Sequence, residues 1–223
     1  MKKITVIAAI LMTTSFGLVK AQTNQGRVLV GVSSTLSTLG TGPNVMSLGL
    51  SSTKYKSDAD GYEEPEADKT ISVNLSPKIG FFVANNFALG LDINVAYSEN
   101  RPGESEDSFT QSILSAGPFV RYYLPSSTVK PFFELGGSYG AYNTKYDYAN
   151  ESPYTDIDSK LTLTTIGGGI GMAVPAGDRV MFDFLAGYNS LSYKSKEDNP
   201  DNDRIVIGTL GIKLGVNVSL GAR

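Results

Sequence analysis

The sequence predicts an all-β protein, specifically an eight-stranded antiparallel up-and-down transmembrane β-barrel, and three observations support that fold class. Behind an apolar N-terminus, the 223-residue chain repeats segments of about ten to sixteen residues in which apolar and polar side chains alternate. Short breaks between these segments alternate strictly with long polar ones. The polar face of each segment consists mostly of small residues, which suit a narrow lumen better than a solvent-exposed surface.

The two kinds of break predict a barrel whose ends differ. The short breaks contain turn-forming residues and lie at 84–86, 125–127 and 175–178. The long breaks are polar and lie at 56–69, 99–108, 145–158 and 194–203. We therefore expect a meander with tight turns at one end and long loops at the other.

Eight strands are predicted between these breaks. They cover residues 27–55, 70–83, 87–98, 109–124, 129–144, 159–174, 179–193 and 204–219. The first is the least regular, because residues 38–44 (TLGTGPN) contain two glycines and a proline. Residues 27–55 therefore form either one interrupted strand or a hairpin of two shorter strands.

Alternation gives each strand one apolar and one polar face, and a soluble sandwich would show the same pattern with its apolar faces inside. Aromatic residues crowd the strand ends, as they do at the two interfaces of a membrane barrel. Beside the tight turns lie Phe81, Phe82, Phe87, Tyr122, Tyr123, Phe132, Phe133, Phe182 and Phe184. Toward the loops lie Tyr97, Phe109, Tyr139, Tyr188 and Tyr193. We therefore predict that the apolar faces point outward into lipid.

The N-terminus has the features of a secretory signal peptide. Lys2 and Lys3 precede an apolar run of roughly 15 residues, shorter than the ~20 that span a bilayer as a helix. We predict cleavage after Ala21, which assigns residues 1–21 to a signal peptide and 22–223 to the barrel domain. The chain has no cysteine, so this exported domain would contain no disulfide.

Three hairpins carry a family resemblance. Their sequences are SPKIGFFVANNFALGLDINVAYS (76–98), GPFVRYYLPSSTVKPFFELGGSYG (117–140) and AGDRVMFDFLAGYNSLSY (176–193). They resemble the porin-like outer-membrane β-barrel domain family, of the OmpX, OmpW and OmpA membrane-domain type, over nearly all of the mature chain. The resemblance implies a monomeric barrel in the bacterial outer membrane, with the lipids and lipopolysaccharide of that membrane as its partners.

Composition argues against catalysis. The chain has neither histidine nor cysteine, so histidine-dependent hydrolysis and zinc sites of the His/Cys kind have no residues to form them. Gly167, Gly168, Gly169 and Gly171 match no phosphate-loop spacing, and mid-strand glycines leave room inside a small barrel. The net charge of −3 argues against nucleic acid as a partner. We predict a protein that is not an enzyme and uses no cofactor.

Charged residues on the polar faces predict an ionic network in the lumen. Its members are Lys78, Asp92, Arg121, Lys130, Glu134, Asp183 and Lys213. A turn near Asn85 places Lys78 across from Asp92, and a turn between Ser127 and Thr128 places Arg121 across from Glu134. Opposite charges on facing strands stabilise each other, whereas a lone charge in a narrow lumen is costly. The network predicts either a salt-bridged plug or a narrow, gated path for ions and small solutes.

The long loops are strongly acidic. Of the 22 acidic residues, only Asp92, Glu134, Asp178 and Asp183 lie away from these loops and their edges. The densest cluster comprises Asp58, Asp60, Glu63, Glu64, Glu66 and Asp68, which are weak candidates for metal ligands because their spacing matches no calcium loop. The loops form either a solvated surface or a site for divalent-cation bridging to lipopolysaccharide or for a basic partner.

Three functions remain open on the sequence alone. The first is an integral envelope protein with a plugged lumen and acidic extracellular loops, in a structural or surface-recognition role. The second is a narrow channel for ions or small solutes. The third is an accessory barrel of an envelope assembly or secretion system.

Overall fold

The described part of the chain forms nine β-strands. The computed structural model describes residues 22–39, 49–53, 68–101, 103, 107–125, 128–148, 157–195, 199 and 203–221. The strands are β1 (Val28–Leu39), β2 (Gly49–Thr53), β3 (Asp68–Ala84), β4 (Phe87–Arg101), β5 (Ser108–Tyr123), β6 (Lys130–Asp147), β7 (Ile157–Ala176), β8 (Val180–Ser195) and β9 (Ile205–Leu220). They match the eight predicted segments, the first of which is divided between β1 and β2. The predicted signal peptide, residues 1–21, lies outside the described residues.

The strands form one closed antiparallel sheet. Neighbours in sequence pair from β3 to β9, and β1 pairs with both β9 and β3, which joins the two edges. Because β2 continues the line of β1, the wall has eight strand positions, which confirms the predicted up-and-down barrel. At the tight turn between β3 and β4, Asn86 has a φ of 65°, a left-handed conformation that asparagine adopts more readily than most residues. No described residue belongs to a helix long and apolar enough to cross a membrane.

The first strand is interrupted and does not form a hairpin. β1 is antiparallel to β3 as far as the pair of Ser33 with Ser76. β2 is antiparallel to the same strand, starting from the pair of Gly49 with Ser72. Both pieces therefore run in the same direction along β3, whereas the two arms of a hairpin would run in opposite directions.

The wall is apolar on its outer face and polar on its inner face. Leu135, Ile166 and Ile170 are 63%, 70% and 63% exposed on the outside. Buried inner positions include Ser72, Asn74, Ser76, Ser115, Ser138, Thr209 and Asn217. The predicted orientation is confirmed, and it is the reverse of a soluble β-barrel. A continuous apolar wall with a closed backbone ladder meets both requirements for strands that span a bilayer.

The aromatic residues near the strand ends divide between the two faces, which corrects part of the predicted girdles. Phe81, Tyr122, Phe133, Phe182 and Phe184 lie on the outer face beside the tight turns, and Tyr97, Tyr139 and Tyr188 lie on it toward the loops. Phe82, Tyr123, Phe132 and Tyr193 are instead buried inside. The prediction was wrong for these four because neighbouring residues of a strand point to opposite faces, so Phe81 and Phe82 cannot share a girdle.

A short N-terminal strap, residues 22–27, lies across the tight-turn end of the barrel. Gln22 is fully buried, and its Nε2 donates a hydrogen bond to the carbonyl of Gly177 at 2.6 Å, in the turn between β7 and β8. The carbonyl of Thr23 accepts a hydrogen bond from the backbone N–H of Asn86 at 2.7 Å, in the turn between β3 and β4. The strap therefore links two separate turns, a feature that the sequence analysis did not predict.

Candidate functional site in the barrel lumen

Charged side chains occupy one level of the lumen, and strand register brings them there. Lys78 on β3 is the direct cross-strand partner of Asp92 on β4. Arg121 on β5 is the direct partner of Glu134 on β6. Both pairs have the register expected from the turn positions, and both lie on inner faces.

Arg121 is the centre of the cluster and is 2% exposed. Its Nε donates to Glu134 Oε2 at 2.6 Å, and a second guanidinium nitrogen forms an ion pair with the same carboxylate. Nη1 contacts Asp183 on the opposite side and also donates to the hydroxyl of Tyr123 at 3.0 Å. One cation is therefore held between two carboxylates from different strands, in the charge-assisted geometry that guanidinium favours.

Lys78 extends the cluster toward β4. Its Nζ donates to Oε1 and Oε2 of Glu134 at 3.2 and 3.1 Å, and it lies 3.6 Å from Asp92 Oδ2. Asp183 is joined on its other side by Asn217 on β9, whose Nδ2 donates to Oδ2 at 2.5 Å. The charged level therefore crosses the lumen from β3 to β9.

The two remaining predicted lysines occupy different places. Lys130 is buried at the start of β6, with Phe132 between it and Glu134 along the inner face. Lys213 lines a cavity together with Asp92 and Glu134. All seven predicted residues therefore lie inside the barrel, at two different levels.

The acidic loop cluster cannot be placed in the same way. Asp58, Asp60, Glu63, Glu64 and Glu66 lie outside the described residues, and Asp68 is the first residue of β3. Within the described ranges, no group of three or more acidic, histidine or cysteine side chains is placed to hold a metal ion.

Aromatic and apolar side chains pack against the charged level, most of them on its tight-turn side. The guanidinium of Arg121 lies 4.2 Å from the ring centroid of Phe132, and Tyr123 packs against Phe132 with centroids 5.5 Å apart. Lys78 Nζ lies 4.9 Å from the ring of Phe119. Leu29, Phe82, Ala88, Ala173, Met181 and Leu185 complete this buried cluster. Cations over ring faces gain electrostatic stabilisation, which is larger where water is excluded.

Hydroxyl and amide groups form a polar belt on the loop side of the charges. Ser76 donates to Asn94 at 2.9 Å, Asn94 donates to Ser115 at 3.4 Å, and Ser115 is 3.0 Å from Ser138. Ser138 continues the series to Thr165, 2.7 Å away on β7. The belt joins five adjacent strands through their inner faces, and each hydroxyl can act as donor or acceptor.

A cavity of about 80 Å³ lies beside this belt. Polar side chains such as Asn94, Asp92 and Lys213 line part of it and apolar ones such as Phe119 and Leu185 line the rest, and it is large enough for several water molecules. On its loop side lies a second buried cluster, formed by Ala96, Ile113, Tyr142, Leu163, Leu191 and Tyr193. From the tight turns to the loops, the lumen is therefore layered: the aromatic cluster, the charged level, the cavity with its polar belt, and the second apolar cluster.

Sequence analysis missed the aromatic packing around Arg121 and the role of Asn217. A usable signal existed, because strict alternation places Phe82, Tyr123 and Phe132 on the same faces as Lys78, Arg121 and Glu134. A ring occupies the adjacent inward position beside Arg121 and beside Glu134, and the second inward position beyond Lys78. The arrangement is chemically suited to hold charge and water, and no nucleophile–base pair occurs among its described members.

Comparison with known proteins found similar solved structures only. No protein-family model and no curated protein matches the sequence. Neisserial surface protein A is similar at 16% identity and a TM-score of 0.40, over 86% of this chain and 95% of that chain. The N-terminal β-barrel domain of Pseudomonas aeruginosa OprF has 12% identity and a TM-score of 0.36, over 88% and 98%. Ail, the attachment invasion locus protein of Yersinia pestis, has 17% identity and a TM-score of 0.36, over 88% and 99%. The fold described above rests on this chain's own sheet topology.

Proposed function

We propose that the protein is an integral barrel of the bacterial outer membrane whose lumen is closed by side chains. In this role it presents its acidic loops at the cell surface and its tight turns in the periplasm, and it acts as a structural or surface-recognition protein. The apolar outer wall supports membrane insertion, and the predicted signal peptide supports export.

One observation gives the main support for a closed lumen: Arg121 is held between Glu134 and Asp183 and is almost inaccessible to water. Eight strands leave an interior only wide enough for side chains, and here large aromatic rings pack directly below the guanidinium. A continuous water path would have to pass both the ion-paired level and the two apolar clusters.

Planar-bilayer conductance of the purified mature protein tests this proposal. We expect the wild type to remain closed and the Glu134→Ala variant to leak, because that substitution removes the carboxylate that both Lys78 and Arg121 contact. Glu99→Ala is the matched control, since Glu99 pairs with Arg101 at the loop end of β4. Steady wild-type conductance with cation preference would contradict a closed lumen.

A narrow channel is the second candidate, and the cavity beside the polar belt is the observation in its favour. Asp92, Lys213 and the hydroxyl belt line a space that can hold water, as a conducting path requires. In this alternative, movement of the Lys78–Asp92 pair would open the lumen toward the aromatic cluster. Conduction by the wild type that is lost in Asp92→Ala would favour the channel over the closed barrel.

A further inference from the structure

On β7 and β8 the outer wall becomes polar above the loop-side end of its apolar band, whereas Val206 on β9 remains apolar and exposed at that level. On β6 to β8 the last large lipid-facing side chains are Tyr139, Ile166 and Tyr188, which are 62%, 70% and 55% exposed. The next outward positions carry hydroxyl groups on β7 and β8, at Thr164 and Ser190, and a methyl group on β6, at Ala141. This boundary marks the level at which hydrocarbon gives way to lipid head groups.

Two cations lie just beyond that boundary on one concave surface. We call this surface the loop-side patch; its lining includes Thr162, Thr164, Ser190, Ser192, Lys194 and Arg204. Lys194 is the cross-strand partner of Thr162, and Arg204 precedes Ile205, whose partner is Tyr193. The two basic side chains are therefore next to each other on neighbouring strands, above a row of hydroxyls.

The base of the loop between β8 and β9 holds this arrangement in place. The side chain of Asn199 donates to the carbonyl of Asp203 at 2.8 Å and to that of Ser195 at 3.4 Å. Its Oδ1 accepts a hydrogen bond from the backbone N–H of Asp203 at 2.6 Å. One residue thus joins both ends of the loop directly beside Lys194 and Arg204.

The order of charges along the long loops agrees with this placement. Basic residues lie near the strand ends, as Lys145 and Lys160 do around the connection between β6 and β7, and most acidic residues of the long breaks come between them in sequence, although Asp147 and Asp158 belong to the strand ends. Lys145 pairs with Asp147 at 2.5 Å, and Lys160 is exposed on the same face as Thr162. At this level of the wall, Lys194 and Arg204 therefore offer positive charge to an anionic group.

From this geometry we infer that the loop-side patch binds the phosphate groups of an anionic lipid in the surrounding leaflet. The inference rests on the proposed placement of the barrel in the outer membrane. The lipid tails would lie along the apolar wall below, and the phosphates would meet Lys194, Arg204 and the hydroxyls. A basic residue at a membrane surface strengthens binding of anionic lipid by about fivefold.

The test measures binding of diphosphorylated lipid A to the purified, delipidated mature barrel in a neutral detergent, by native mass spectrometry. We expect Arg204→Gln to weaken binding by about fivefold and the Lys194→Gln, Arg204→Gln double variant by about 25-fold. Arg204→Lys should keep most of the affinity. The matched control is Arg179→Gln, which removes one exposed cation at the tight-turn end and should change nothing.

Three further arms define the ligand. Dephosphorylated lipid A should bind to the wild type as weakly as intact lipid A binds to the double variant. Millimolar inorganic phosphate should not displace the bound lipid. Addition of EDTA should not change the affinity. Equal affinity of the double variant and wild type would overturn the inference. Displacement by inorganic phosphate would show that the patch binds free phosphate and not a lipid. Loss of binding in EDTA would indicate that divalent cations bridge the lipid to the acidic loops instead. Heat-modifiable migration checks the fold of each variant separately, so failure of this inference is distinguishable from failure of the proposed function.

Discussion

Replacement of Arg121 by methionine gives the clearest energetic prediction. Methionine fills much of the same volume but cannot pair with Glu134 or Asp183, which the guanidinium contacts from both sides. Removal of one partner from a buried ion pair costs about 3–5 kcal/mol, because the remaining charge stays desolvated. Among the described residues, Glu134 would still contact Lys78, whereas the remaining hydrogen bond to Asp183 would come from the amide of Asn217. We therefore expect a loss of about 3–5 kcal/mol in the free energy of unfolding.

Urea-induced unfolding of the barrel in detergent micelles measures this loss, provided that the transition is reversible. The matched control is Arg101→Met, since Arg101 also pairs with a carboxylate but its side chain is 69% exposed. An exposed pair of this kind contributes about 0–1 kcal/mol. In Arg121→Met, replacement of Glu134 by glutamine and Asp183 by asparagine should restore part of the stability. A loss of unfolding free energy in Arg121→Met that is no larger than the loss in Arg101→Met would refute this prediction.

Four other substitutions probe the wall, the packing and the strap. Leu135→Arg puts a charge on the lipid face, midway between the aromatic ends of β6. At the bilayer midplane such a charge should lower the free energy of unfolding by about 2–4 kcal/mol. The control Ser112→Arg lies nearer the loops and should lower it by about 0–1 kcal/mol. Gly171→Val should lower the thermal stability of the folded band in gel electrophoresis, because a Cβ there overlaps the ring of Phe132; unchanged stability would contradict the packing of this cluster. Gln22→Ala should lower the free energy of unfolding by about 1–3 kcal/mol, because the carbonyls of Gly177 and Val180 would lose their side-chain donor. If the strap of this variant resists protease as well as that of the wild type, Gln22 does not anchor it.

Much of the barrel could be predicted from local patterns. Alternation with period two identified the faces, and the turn near Asn85 fixed the register of Lys78 with Asp92. In antiparallel strands joined by a tight turn, register follows directly from the turn position. The same reasoning placed Arg121 opposite Glu134, although the connection there is longer.

Contacts across the lumen could not be predicted in this way. Arg121 meets Asp183 from a strand three positions away in the sheet, and Lys78 meets Glu134 across a similar distance. Alternation says which side chains face inward but not which of them meet, because that depends on barrel curvature and on the heights of the strands. The strap was missed for a related reason: six residues without periodicity carry no pattern, and only their hydrogen bonds to the turns define their place.

The interrupted first strand shows where the sequence left two possibilities open. Glycine and proline in residues 38–44 indicate a break, and a break suits a hairpin as well as an insertion. The decision lies in long-range pairing: β2 has the direction of β1 because both are held against β3. Local sequence carries no information about the direction in which the chain returns.

The side of the wall that faces lipid is the central claim, and a spin-label scan along β4 measures it most directly. The chain has no cysteine, so single cysteines can be introduced in turn at residues 91–96 of the reconstituted protein. We predict high oxygen collision rates at Leu91, Ile93 and Val95 and low rates at Asn94 and Ala96, with a period of two. The opposite phase, or a folded form that stays soluble without detergent while those apolar positions are shielded from water, would contradict the account.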